Sequence, residues 1–341
     1  MEGWPAGEFD SLSSMRRSIA LASFFAVAVP AGAVVGEWHE NPQSRVRLVS
    51  PWAVAPATGE VVLGLELRLA PGWHSYWKNP GDAGFPPRLL FEGTPAVEEA
   101  RLLFPAPHRY ALPGDLEAFG YEDQVVYPVK LRLLSGGQTE VTLAAHLDYL
   151  VCEVECVPYR YEMSLLQPTG SPGVVDPEGE AVLRPWLERL PVPVRTSGVA
   201  VREELRRAGK EYLLVVEVAG AGGVGDPDLF LEPNDLFDAD APRHAASASG
   251  VRFELPLRRT RRDVQLPDRV SLAWTATGLR GAGVPPSLEG EARVGIATAR
   301  LPRTFVVVLA LGVGLLLALI AGRALRRLRS PATTSTPDGG P

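Results

Sequence analysis

Cysteine is scarce in this chain, since its 341 residues contain only Cys152 and Cys156. A disulfide-rich scaffold is therefore excluded, and so is a zinc site built from cysteines alone. Histidines do not complete such a site, because they form no cluster with ligand spacing; they are His39, His74, His108, His146 and His244. Neither a nucleophile elbow nor a metalloprotease motif occurs, so hydrolase chemistry has no support. The cysteine pair is the one piece of chemistry that the sequence identifies.

Concentrated charge of one sign is also missing. The formal net charge is -6, and the positive residues are scattered except near the C-terminus. A nucleic-acid partner is therefore not expected. Glycine and proline are abundant instead, with 34 Gly and 32 Pro between short Val- and Leu-rich runs. This distribution of Gly and Pro is typical of many strands joined by turns and argues against a helical bundle.

Both ends of the chain carry apolar segments. Arg16 and Arg17 precede the apolar run 19–29, and a small-residue site follows at 31–33. This pattern predicts a signal peptide over residues 1–33, with Met15 as an alternative start. Residues 304–322 are uncharged and would span about 28 Å as a helix, close to a bilayer core of about 30 Å.

The arginines around the second apolar segment predict its orientation. One arginine precedes it and four follow it. The positive-inside rule then places the C-terminus in the cytoplasm and residues 34–302 outside. We therefore expect a single transmembrane helix over 303–323 and a basic, disordered cytoplasmic tail over 324–341.

The exported part shows period-2 patterns that predict an all-β fold. Residues 61–69 are the clearest case, because five apolar side chains share one face, while Glu66 and Arg68 lie on the other. Similar patterns predict two immunoglobulin-like β-sandwich domains, over 34–166 and 191–302. Residues 167–179 are rich in Pro, Gly and Asp and are followed by an amphipathic run near 180–189, so we predict a linker with a short helix over 167–190.

Geometry restricts how Cys152 and Cys156 can pair. In one continuous strand their Cα atoms would lie about 13 Å apart, beyond the roughly 7 Å limit for a disulfide. The chain must therefore bend between them. Such a bond closes a very short loop and restrains the unfolded chain little, which favours a redox role over a structural one. Glu153 and Glu155 would raise a thiol pKa, so the pair suits a relay better than a primary oxidant. An inert structural disulfide remains the alternative.

Several motifs of the first predicted domain together resemble the exported N-terminal domain of the DsbD family, in particular its ScsB branch. The motifs are residues 71–84 (PGWHSYWKNPGDAG), 104–107 (FPAP), 117–121 (EAFGY) and 148–158 (DYLVCEVECVP). The resemblance extends over about residues 38–166. Residues 227–232 (PDLFLE) look like part of the extra immunoglobulin-like domain of the ScsB branch.

The resemblance implies a thiol:disulfide oxidoreductase component with Cys152 and Cys156 as its catalytic residues. It also implies a bacterial inner-membrane protein with most of its mass in the periplasm, and no cofactor beyond the disulfide. In that family an aromatic cap shields the pair until a partner docks. By motif position the cap here comprises Glu117, Phe119 and Tyr121, with Phe119 as the shield. The aromatic wall comprises Trp73, His74 and Tyr76.

The expected partners follow from the same resemblance. Electrons would leave to an exported disulfide isomerase or another thioredoxin-fold protein. The family normally continues into a polytopic membrane domain, whereas residues 304–322 contain no cysteine. We therefore expect a separate membrane reductase as the donor; the alternative is that the chain is a truncated family member. Two alternatives stay open. One is copper handling or metal tolerance through the reduced cysteines, and the other is a partner-binding sandwich with an inert disulfide.

Overall fold

Alternating apolar side chains form strands in the computed structural model of this chain, which describes residues 34–208, 211–222, 226–247, 249–261 and 263–298. All of these residues belong to one compact unit. The prediction of an all-β protein is confirmed, since the described residues contain many strands and two short helices.

Fourteen strands precede the first helix among the described residues. They are β1 (Val34–Val35), β2 (His39–Glu40), β3 (Ser44–Ser50), β4 (Trp52–Pro56), β5 (Thr58–Leu69), β6 (His74–Gly81), β7 (Arg88–Leu90), β8 (Val97–Leu102), β9 (His108–Leu112), β10 (Leu116–Glu122), β11 (Gln124–Leu134), β12 (Glu140–Cys152), β13 (Cys156–Gly170) and β14 (Val174–Val175).

The remaining elements follow in the order α1, β15, α2 and then eight strands. They are α1 (Pro177–Leu187), β15 (Val192–Pro193), α2 (Val194–Ser197), β16 (Val201–Ala208), β17 (Glu211–Ala219), β18 (Asp228–Leu231), β19 (Phe237–Ala239), β20 (Arg243–Ser247), β21 (Gly250–Arg259), β22 (Arg269–Thr277) and β23 (Leu288–Thr298).

Two sheets in the first half of the chain share one core. The first sheet has the order β1-β3-β5-β11-β8, with β2 beside β3; the second has the order β14-β4-β13-β12-β6-β10-β9, with β7 beside β12. Leu65 and Tyr127 of the first sheet meet Trp77 and Leu147 of the second in a single buried cluster. The alternation predicted for residues 61–69 is present, and Glu66 on the opposite face is also buried because Arg47 and Arg68 pair with it.

A third sheet contains the second core. Its order is β18-β22-β23-β16-β17-β21-β19, with β15 beside β23 and β20 beside β21. Leu214 and Phe253 from one part of the sheet and Trp274 from another meet in its core. Strand β18 has two apolar faces, so Leu229 packs in this second core while Phe230 packs in the first.

The predicted linker over 167–190 needs a correction. The first four of its residues continue strand β13, and Thr169 and Gly170 pair in parallel with β4. Strand β14 also pairs with β4, so these residues are part of the second sheet rather than a connection. A helix is present but starts earlier than the pattern predicts, because Asp176 caps it by accepting a hydrogen bond from the amide of Gly179 at 2.7 Å.

Three predictions fall on the ends of the chain. The signal peptide over 1–33, the transmembrane helix over 303–323 and the tail over 324–341 lie outside the described residues. Within the described ranges, no helix is long and apolar enough to cross a membrane. The division into domains 34–166 and 191–302 stays a prediction.

Candidate functional site

The cysteine pair closes the tip of a long antiparallel hairpin. Strands β12 and β13 pair without interruption until Cys152 lies opposite Cys156. The two cysteines form a disulfide, with their Cα atoms 4.2 Å apart. Between them Glu153, Val154 and Glu155 make the turn and are exposed, Val154 by 82%. The predicted bend between the cysteines is confirmed.

The two cysteine residues differ in exposure. Cys152 is 2% exposed, whereas Cys156 is among the exposed residues. The sheet order explains the difference, because Cys152 pairs with His74 of the neighbouring strand β6. Within the described residues, strand β13 has a second neighbour, β4, only at its far end. Cys156 is therefore the more accessible of the two cysteines for an incoming thiolate.

A small apolar cluster surrounds the buried half of the disulfide. Its fully buried members are Tyr76, Ala118, Leu150 and Cys152, and Tyr110 and Leu112 pack at its edge. The hydroxyl of Tyr76 lies 3.6 Å from Sγ of Cys156 and donates to it, since a disulfide sulfur carries no hydrogen. Burial raises the pKa of Tyr76 to about 12, so the phenol keeps its proton at neutral pH.

His74 is the second predicted wall residue that reaches the site. Its ring packs edge-on against Tyr76, with centroids 5.3 Å apart, and stacks on Tyr110 at 5.7 Å. Burial lowers the pKa of His74, so the ring is neutral beside the cysteines at neutral pH. Its Nε2 is buried without a hydrogen-bond partner among the described residues.

The third wall residue, Trp73, is not brought to the disulfide. His74 and Tyr76 share one face of β6 because strand side chains alternate, and Trp73 packs against the larger core. Tyr110, which the sequence analysis missed, takes part in the wall instead. Its position two residues before Leu112 signals a shared face, but only the pairing of β9 with β10 places that face over Cys152.

The predicted cap forms a hairpin of strands β9 and β10, here called the cap hairpin. Ala118 faces Cys152, so its neighbours in β10 face the opposite way. Phe119 packs edge-on against Phe230, with centroids 5.1 Å apart. Tyr121 is buried and donates to the carbonyl of Pro105 at 2.7 Å. The structure therefore does not bring Phe119 or Tyr121 to the disulfide.

Glu117, the remaining cap residue, lies on the same face as Phe119. Its carboxylate pairs with the guanidinium of Arg109, which also lies 4.6 Å above the Phe119 ring. Its amide donates to Asp82 at 2.8 Å, which ties the cap hairpin to the end of β6. Glu117 thus holds the cap hairpin in place rather than contacting the cysteines.

Two glycines of the predicted motifs allow the close packing of the site. Gly84 has φ of 100°, and a Cβ there would lie 2.2 Å from Cζ of Tyr76. A Cβ on Gly120 would lie 1.8 Å from the carbonyl oxygen of Ser75. Glycine is required at both positions because the backbone lies directly against β6 or its tyrosine.

Metal ligation has no ready site in the described part of the chain. No group of three or more His, Cys, Asp or Glu side chains there is arranged to hold a metal ion. The described site therefore presents a disulfide with one exposed cysteine, beside a buried phenol and a buried neutral imidazole.

Comparison with known proteins agrees with this site. Residues 45–168 match the family model described as "Thiol:disulfide interchange protein DsbD, N-terminal". The solved N-terminal periplasmic domain of ScsB from Proteus mirabilis is similar over 78% of this chain and 100% of that chain, with a TM-score of 0.60 and 20% identity.

A second solved structure and a search of curated proteins identify no further relative of this chain. The CupB6 tip adhesin from Pseudomonas aeruginosa aligns over 77% of this chain and 99% of its own, at 11% identity, but its TM-score is only 0.15. No curated protein matches the sequence. Residues 45–168 therefore resemble the DsbD N-terminal domain, and the chain shares its fold with the periplasmic domain of ScsB.

Proposed function

We propose that this chain is an exported, membrane-anchored thiol:disulfide interchange protein that relays reducing equivalents through Cys152 and Cys156. The observation that carries the proposal is the asymmetry of the disulfide. Cys156 is exposed at a hairpin tip, while Cys152 is 2% exposed. A purely structural disulfide does not require one of its cysteines to be exposed.

In the delivery step the reduced pair passes two electrons to a partner. The Cys156 thiolate attacks one sulfur of the partner's disulfide, which breaks that bond and releases a partner thiolate. The Cys152 thiolate then attacks Cys156 in the mixed disulfide. This second exchange restores the Cys152–Cys156 bond and leaves the partner as a dithiol, each of whose thiolates takes a proton from water. The donor reloads the pair by the reverse sequence, with its own thiolate attacking Cys156.

The surroundings of Cys156 suit exchange with a docked protein. Tyr76 donates a hydrogen bond to its sulfur, which stabilises the thiolate while it attacks or leaves. Glu153 and Glu155 act in the other direction, since nearby negative charge disfavours a second one. Both carboxylates are exposed and therefore screened by solvent. A bound partner that neutralises them would favour the thiolate only in the complex.

The remaining parts of the proposal rest on the sequence and on the family. The predicted signal peptide and the predicted helix over 303–323 would place this domain in the periplasm, anchored to the bacterial inner membrane. Its acceptors would be exported disulfide isomerases or other thioredoxin-fold proteins. Its donor would be a separate membrane reductase, and the two predicted immunoglobulin-like domains would form the exported part.

Reduction potential and partner trapping together test the proposal. The full-length protein should have a potential above about -300 mV, the range of disulfides that exchange with cellular dithiols. The Cys152→Ala variant should trap an exported thioredoxin-fold protein as a mixed disulfide, because Cys156 can attack but Cys152 is absent and cannot resolve the bond. A potential well below about -300 mV with no trapped partner would contradict the relay and support an inert disulfide.

Metal binding by the reduced cysteines is an alternative function that one observation favours. His74, whose Nε2 is buried without a partner among the described residues, pairs through its backbone with Cys152, although with the disulfide closed these three side chains are not arranged to hold a metal ion. Two thiolates and an imidazole are ligands that copper accepts. A copper titration of the reduced full-length protein distinguishes metal binding from the electron relay. Stoichiometric binding that is lost in His74→Gln and in the double cysteine variant would favour metal handling over the relay.

A further inference from the structure

The cap hairpin is held from both of its faces. On one face Tyr110 and Ala118 pack in the cluster that contains Cys152. On the other face Arg109 and Phe119 contact strand β18 of the third sheet. Because neighbouring residues of a strand point to opposite sides, a contact at Arg109 fixes the position of Tyr110.

Arg109 makes the central contact. Its Nε and Nη2 each donate to the carboxylate of Asp228 at 3.0 Å, and Nη2 also lies 3.4 Å from the carbonyl of Leu229. Its guanidinium lies 4.6 Å from the ring of Phe119 and 5.0 Å from that of Phe230. The Arg109 side chain is only 18% exposed. A bidentate pair in such surroundings is among the stronger polar contacts in a protein.

Strand pairing holds the cap hairpin from one side only. Strand β9 lies at the edge of the second sheet, and β10 pairs with β6 across an irregularity between Ala118 and Gly120. Strand β18 of the third sheet adds contacts on the opposite face, because its Phe230 is 1% exposed and packs inside the first core. Asn79 of β6 also donates to the carbonyl of Leu231 at 2.7 Å. The third sheet thus contacts both strands that form the wall around the disulfide.

We propose that Arg109 and Asp228 are positioning residues for thiol exchange, which fasten the cap hairpin to strand β18 and so keep Tyr110 packed over His74 and Cys152. The proposal deepens the relay function and rests on it for its biological meaning. The third sheet then controls how readily a thiol reaches the buried side of the disulfide, at Cys152. A partner that displaces the contact to Asp228 would expose Cys152 in addition to Cys156.

The test measures how fast a small dithiol reduces the disulfide in the full-length protein. Dithiothreitol transfers two electrons to the Cys152–Cys156 bond and becomes a cyclic disulfide, and the new thiols are alkylated and weighed by mass spectrometry. Asp228→Asn should accelerate reduction about tenfold, the change expected for losing one strong contact. Arg109→Gln should do the same. The equilibrium reduction potential should stay at the wild-type value, because Asp228 contacts neither sulfur in either state.

Two matched variants control for a general loss of packing in the third sheet. Asp228→Glu keeps the charge and should return the rate toward that of the wild type. Glu217→Gln removes a different partly buried ion pair, with Arg252, from the same sheet and should leave the rate unchanged. A wild-type rate in Asp228→Asn would overturn the proposal, as would equal acceleration in Glu217→Gln. Reduction by dithiothreitol needs no partner protein, so failure here leaves the relay standing, and failure of the relay leaves this result interpretable.

Discussion

Replacing Tyr76 by Phe tests whether the phenol tunes the accessible cysteine. The hydroxyl is fully buried and donates to Cys156 Sγ at 3.6 Å. Hydrogen bonds to charged groups contribute about 1.5–3 kcal/mol, and we take about 1 kcal/mol for this long one. Since one pKa unit corresponds to about 1.36 kcal/mol, Tyr76→Phe should raise the pKa of the Cys156 thiol by about 0.7 units. Below that pKa, the thiolate fraction should fall about fivefold.

The measurement uses the Cys152→Ala background, in which Cys156 is the single thiol. The pKa of Cys156 is read from the pH dependence of its alkylation rate, with and without Tyr76→Phe. Tyr149→Phe is the matched control, because it removes another buried hydroxyl that bonds Ser44 and Asn41 instead of a sulfur. An unchanged pKa in Tyr76→Phe, or an equal rise in Tyr149→Phe, would refute the assignment of Tyr76.

Two further predictions concern the packing of the site. Gly84→Ala should lower the free energy of unfolding by about 2–4 kcal/mol, because its Cβ would overlap the Tyr76 ring. The control is Gly93→Ala, whose Cβ would meet nothing within 4 Å and which should lower the free energy of unfolding by only about 1 kcal/mol. Equal losses for the two variants in urea unfolding would contradict the overlap. The lowered pKa of His74 means that the unfolded chain binds more protons there, so stability should fall as pH drops below about 6.5. His74→Gln should flatten that dependence in urea unfolding between pH 7.5 and 5, and an unchanged slope would exclude His74 as its source.

The sequence could predict the hairpin and its disulfide because both follow from local rules. Period-2 patterns define β12 and β13, and strand geometry alone requires a bend between Cys152 and Cys156. The same local rules place His74 and Tyr76 on one face of β6. These features need no knowledge of which distant strands become neighbours.

The features that the sequence could not predict depend on distant pairing. Cys156 is the more exposed cysteine because β6 lies beside Cys152, a contact between residues far apart in the chain. Phe119 packs away from the disulfide because Phe230, from the third sheet, occupies the first core. Residues 167–170 contain Pro and Gly and so resembled a linker, yet β4 provides a parallel neighbour for their backbone.

Exchange at Cys156 can be observed directly in a trapped complex. The oxidised full-length protein is mixed with a thioredoxin-fold protein whose resolving cysteine is replaced by alanine, quenched with acid, and digested without reduction. Mass spectrometry then identifies which cysteine carries the partner. We expect a mixed disulfide at Cys156, with a free thiol at Cys152. A partner attached to Cys152, or no mixed disulfide, would contradict it.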